Sequence, residues 1–153
     1  MDNYLAASSL IIARLHDKVP QIVKSRVRAA QSEKWVIKNP LDDSISVIFH
    51  DDQPVEADGG QIDWGKNQIS EQFWLVVISS KNVTDSGNAA RKELGVIALN
   101  VLQALQGWLP SAEHSELYRR RCPFRVTDDE KGFVHISFLF STRIVIDGLD
   151  NDF

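Results

Sequence analysis

Few side chains in this sequence could do chemistry, and they are scattered. Histidines stand at His16, His50, His114 and His135. None has the i, i+4 helical partner of a zinc-protease pair, and Cys122 alone makes no CxxC. GxGxxG, GxxxxGKS/T and GxSxG are absent. One cluster has a metal-like composition, His50-Asp51-Asp52, just after an apolar run. Carboxylates at a strand end can hold Mg²⁺ or Ca²⁺ through oxygen. These three residues therefore define one reading, a small metal-dependent hydrolase. Against it, adjacent strand residues point to opposite faces. No credible catalytic constellation remains, no cofactor is expected, and function is sought in surfaces.

Arg119-Arg120-Arg121 is the strongest local charge run. It could contact phosphates or an acidic neighbour, or form a solvated turn beside Asp128-Asp129-Glu130. The run is not interleaved with aromatics, which favours a solvated face or an intersubunit ion pair over nucleic acid. Trp64 sits in a polar stretch, where it either anchors a loop to the core or reaches a partner chain.

The chain has 153 residues, 43% hydrophobic and 25% charged, with a net charge of -4. That length fits one domain, and a domain of this size buries about 70% of its unfolded surface without staples. The mild acidity argues against a dedicated nucleic-acid binder but leaves room for a basic patch. Cys122 is the only cysteine, so no intrachain disulfide forms, which fits a reducing compartment. The first ten residues lack a basic signal-peptide region, and no apolar run reaches membrane-spanning length.

The central positioning unit is a strand and the helix it feeds. Residues 73–78 are almost continuously apolar, as in a strand buried on both faces. From Ala89 the period changes: Leu94, Ile97, Ala98, Val101, Leu102, Leu105 and Trp108 share one helical stripe. Asn88 or Ser86 is placed to cap it, and Gly107 and Pro110 to end it. Upstream, residues 4–15 predict a helix with Leu5, Ser8 or Ser9, Ile12 and Leu15 on one face. Pro20 opens a second short helix with Ile22, Val23, Val27 and Ala30 inside. Trp35, Val36 and Ile37 begin a candidate strand that stops at Asn39-Pro40, and residues 45–49 form a clearer one. Residues 50–68 are a long polar excursion, of the kind that forms a hairpin tip. Downstream, residues 111–122 connect to a short strand at 123–127 and a turn at 128–132. The last strand places Val134, Ile136, Phe138, Phe140, Thr142, Ile144 and Ile146 on one side. Residues 149–153 form an acidic tail. The fold class is α/β of the α+β type: a mixed, largely antiparallel sheet with helices mainly on one face, in a single domain over 1–153.

The order of these features, IIARL and VPQIVKSRV, then QFWLVVISSKN, then AARKELGVIALNVLQALQGWLP and a closing pair of strands, resembles the tail-terminator family of long-tailed phages and prophages, Mu-like terminators included. The resemblance covers most of the chain. Its telling pieces are Lys81-Asn82, Arg91 and Gly95 on the helix, and Leu105 followed by Gly107-Trp108 and Pro110. It implies a non-enzymatic virion protein, assembled in the bacterial host cytoplasm and located in the tail. Such subunits form a homo-oligomeric ring, usually a hexamer, which caps the tail tube protein and stops its polymerisation. The ring presents a surface to head or neck connector proteins and, in contractile tails, can meet the sheath. No membrane is involved, and DNA contact is confined to the ring lumen.

Ring subunits meet head to tail. From composition, Trp64, Asp51, Asp52, Arg119, Arg120, Arg121, Asp128 and Asp129 are the candidate interface residues. Reversing the three arginines together is expected to weaken assembly without unfolding the subunit. Competing readings are a head–tail connector or other tail-completion protein, the hydrolase built on His50, Asp51 and Asp52, and a non-phage interaction module.

Overall fold

The computed structural model describes residues 2–55, 67–81, 88–123, 127–128 and 132–149. The first helix, α1 (Ala6–Lys18), buries Ala7, Ile11 and Leu15, each four residues after the last. Its inner stripe is thus shifted from the predicted face: Leu5 is exposed and Ile12 only partly covered. A 3-10 turn, Lys24–Arg26, then leads into β1 (Val27–Ala30), where a second helix was expected. Proline at position 20 precedes these elements without starting a helix. Val27 instead pairs in parallel with Ile45 of β2.

The expected strand at Trp35 is also replaced. Residues Glu33–Lys38 form α2, because the Ser32 hydroxyl accepts the Trp35 backbone N–H at 3.1 Å. That cap, with Glu33 in the first turn, outweighs the strand preference of three bulky residues. Asn39-Pro40 then ends the helix rather than a strand.

Three long strands follow, β2 (Ser44–Val55), β3 (Asn67–Lys81) and β6 (Phe133–Asp147). Between β3 and β6 come α3 (Asn88–Leu105), β4 (Tyr118–Arg120) and β5 (Thr127–Asp128). The sheet order is β1-β2-β3-β6-β4, with β5 also on β6. Only β1 is parallel to its neighbour. The polar excursion is therefore strand at both ends: β2 continues to Val55 and β3 begins at Asn67, with Val55 opposite Ile69, while the residues between them lie outside the described ones. A bulge at His50 interrupts the ladder between Phe49 and Asp51. Polar residues 50–54 still hold the ladder, because backbone pairing does not require apolar side chains. The connector at 111–122 contains β4, and Asp128 pairs with Val134 rather than lying in a turn.

As predicted, β3 is buried on both faces. Trp74, Val76 and Ile78 join Ile45, Val47, Phe138 and Phe140 beneath α1 and α3. On the other face, Leu75 and Val77 meet Ile48, Leu139 and Val36 of α2. The predicted stripe of α3 is also present: Leu94, Ile97, Ala98, Val101 and Leu105 are buried, with Leu102 and Trp108 partly covered. Gly107, at φ 75, takes the left-handed position after the helix. Its N–H donates to the Leu117 carbonyl at 2.8 Å, and the Leu117 N–H donates to Trp108. Arg14 ties α1 to this corner through the Ala104 carbonyl at 3.0 Å and the Trp108 ring. Of the proposed α3 caps, Ser86 lies outside the described residues, and Asn88 is the first helical residue.

Leu105→Ala opens a cavity under the fully buried end of α3 and should cost about 3 kcal/mol. A urea denaturation midpoint equal to that of the unaltered chain would contradict this packing.

Candidate assembly surface

Beyond the core, β2, β3 and β6 run on together as a three-stranded arm, residues 51–55, 67–71 and 143–147. On the face away from α1 and α3, the register lays out successive rows. Val55, Ile69 and Val145 form an apolar row, with Ile69 and Val145 exposed. Gln53, Glu71 and Arg143 form the next.

Glu71 is only 4% exposed, and a buried carboxylate needs partners. Arg120 supplies one, its Nη2 donating to Glu71 Oε1 at 2.6 Å. The Arg143 guanidinium lies 4.0 Å from the same oxygen, and Gln53 Nε2 donates to Oε2 at 3.4 Å. Arg120 Nε donates to the Ser141 hydroxyl at 3.0 Å, and its guanidinium lies over the Tyr118 ring. Burial alone would push the Glu71 carboxyl up. Hydrogen bonds from Arg120 and Ser141, with the arginine charge, outweigh it and hold the group below the ordinary carboxylate range.

The arginine run thus divides. Arg120 is held within its own chain. Arg119 is exposed, with its guanidinium over Phe138 on the opposite face, and Arg121 is exposed just past the strand. Arg119 and Arg121 border a cleft of about 890 Å³ whose walls include Leu117, Cys122, Ile136 and Phe138. Reversing all three arginines would therefore disturb the Glu71 pair as well as the surface.

Asp51 and Asp52 are exposed on β2 and face opposite sides of the arm. Asp51 Oδ1 accepts the Asp52 N–H at 2.8 Å. The Tyr4 hydroxyl, ahead of α1, donates to Asp52 Oδ2 at 2.5 Å and contacts Ser70 at 2.7 Å. Among the described residues no three His, Cys, Asp or Glu side chains converge as metal ligands, and His50, Asp51 and Asp52 are no exception. Trp64 and Asp129 lie outside the described residues. Asp128 is placed by its backbone pairing only.

A family model described as phage tail terminator protein matches residues 1–151. The chain belongs to the phage tail terminator family. Its role is therefore structural, in completing a phage tail. No curated protein sequence matches it. Among solved structures, it resembles a chain in the virion of a native gene transfer agent particle. That pair has 15% identity and a TM-score of 0.62, covering 94% of this chain and 99% of the other. It also resembles a chain from the sheath/tube terminator of PVC, an extracellular contractile injection system, in its extended state. Identity there is 11% and the TM-score 0.55, over 98% of this chain and 58% of the other. At these identities the likeness establishes the fold.

Sequence reasoning missed Glu71, Arg143 and Tyr4. The available signal for Glu71 was a charged residue two positions before the apolar run at Phe73, where a continuing strand would bury it.

Two changes test the buried pair. Arg120→Ala leaves the Glu71 carboxylate without its closest partner and should cost about 2 kcal/mol, reduced from a fully buried pair because the arginine is partly solvated. Because the folded pKa of Glu71 is depressed, its contribution is full above the unfolded value of 4.5 and is lost as pH falls through the lower folded value. Glu71→Gln should flatten the acid limb of the stability–pH curve. An acid limb identical to that of the unaltered chain would refute the assignment.

Proposed function

We propose that this chain assembles as a ring, hexameric as its family resemblance implies, on the end of a finished tail tube. There it stops tube polymerisation and offers its outer surface to head or neck proteins. The match of the terminator family to nearly the whole chain carries this reading. Ring assembly is also favoured by the placement of charge at opposite edges of the sheet, acidic at Asp51 and Asp52 on β2 and basic at Arg119 and Arg121 beside β4. Surfaces of opposite sign on opposite edges suit head-to-tail association, in which each subunit offers one patch to each neighbour. Charge then sets register and encounter rate more than affinity.

The arm is the part proposed for tube contact. It is a three-stranded extension with an apolar row, Val55, Ile69 and Val145, the last two exposed, beside the Glu71–Arg120 pair. Trp64, between β2 and β3 in sequence, belongs to the same proposed contact. Assembly takes place in the host cytoplasm, and the finished ring remains in the virion tail. If DNA meets the ring, it does so in the lumen.

Tail tube protein polymerised with and without the purified chain tests this. The expected result is tubes of arrested length, with density at one end in negative stain. Ile69→Asp together with Val145→Asp should abolish arrest while leaving the subunit folded. Tubes that grow equally with and without the chain would overturn the reading.

A further inference from the structure

The two charged edges differ in more than sign. β1 covers the outer side of β2 only as far as Ile48, which it meets at Ala30. Beyond that point no further strand among the described residues flanks β2, and residues 50–54 are exposed. A bare strand edge normally alternates N–H donors with carbonyl acceptors and invites another strand. This edge does not. The Asp52 N–H, turned away from β3, is already taken by Asp51 Oδ1 at 2.8 Å. Pro54 stands two residues on, facing the same way, and has no N–H to offer. The Asp52 and Pro54 carbonyls and the two carboxylates remain. Tyr4 fixes the Asp52 carboxylate by donating to Oδ2, which leaves its other oxygen open. From Asp51 to Pro54 the outward backbone groups and carboxylates are therefore acceptors only.

A partner for such an edge must bring donors without acceptors, and the guanidinium group does so, with a planar fork that fits carboxylates. Exposed guanidiniums stand on the opposite edge of the same sheet. Arg119 lies on β4 and Arg121 just beyond it, while Arg120 is taken by Glu71. Two strands, β3 and β6, separate β2 from β4, which sets the two edges about 14 Å apart. Facing outward in opposite directions, they cannot meet within one copy.

We propose that the acceptor-only edge of β2, at Asp51, Asp52 and Pro54, receives the Arg119 and Arg121 guanidiniums of a second copy. This names the contact of the assembly reading above and rests on it. The contact is made by side-chain donors rather than by an added strand, so it joins copies head to tail while blocking strand-on-strand growth.

The test uses two neutral variants of the full chain. Asp51→Asn with Asp52→Asn keeps the local acceptors for the Asp52 N–H and Tyr4 but removes the charge. Arg119→Gln with Arg121→Gln removes the donor fork. Unchanged melting temperatures confirm that both variants fold. Mass is read by light scattering in solution and by subunit count on pelleted tail tubes. Each variant alone should self-associate at least about tenfold more weakly than the unaltered chain. An equimolar mixture should form pairs and go no further, because one native acidic edge meets one native arginine edge and the other junction is neutral. High salt should weaken the unaltered assembly.

Variants that assemble like the unaltered chain would overturn the pairing while leaving tube capping intact. Variants that still assemble but lose tube binding would assign the edge to the tube protein, and also overturn it. An unaltered chain that neither self-associates nor arrests tubes would end both this inference and the reading beneath it.

Discussion

The ladder between β3 and β6 is the constraint on which the rest of the structure depends. It runs unbroken from Asn67 opposite Asp147 to Lys81 opposite Phe133. Fifteen-residue strands are long for a globular domain. One half lies in the core, where Trp74 faces Phe140 beneath the helices and Leu75 faces Leu139 on the other side. That half is fixed in register because a slip by one residue would turn both apolar sets the wrong way. The other half inherits its register and projects as the arm. The arm is held in register for this reason, although few of its own side chains are buried.

The Glu71–Arg120 pair sits where those halves join. A buried carboxylate is costly unless it is fully partnered, and here Gln53 of β2, Arg120 of β4 and Ser141 of β6 donate to it, with the Arg143 charge of β6 close by. The pair thereby fastens the short strand β4 to the base of the arm. It also engages the middle arginine of the run within its own chain, so that Arg119 and Arg121 are the two left to face outward. A single electrostatic site thus serves local stability and shapes the arginine edge.

Much of this fold was legible in the sequence because period and burial agree there. The apolar run at Phe73, the stripe of α3 and the alternation after Phe133 each have one reading as strand, helix and strand, since periods of two and 3.6 place different positions inside; the mixed face of the last strand is nevertheless buried too, at His135, Ser137, Leu139 and Ser141. The failures have local physical causes. At Trp35, three residues with strand preference were outvoted by one serine hydroxyl. At Val27, four residues were too few for a period, and the parallel partner at Ile45 lies far along the chain. The site was half legible. Charge runs show in sequence, but their pairing does not: Glu71 and Arg120 are 49 residues apart and meet only through strand order.

The same reasoning explains why the arm can be exposed without being a hazard. A long, bare strand beside an apolar row is the usual recipe for uncontrolled edge pairing. Here the bulge at His50 breaks the pattern at the point where β1 stops. Asp51 then occupies a backbone donor, and Pro54 lacks one. Strand addition is disfavoured by missing hydrogen-bond donors, while a charged side-chain contact remains open. A bare edge without backbone donors can therefore end in solvent without templating a further strand. The same two residues that close the edge to strands, Asp51 by its side chain and Pro54 by its ring, thus keep a long exposed strand from seeding a fibre.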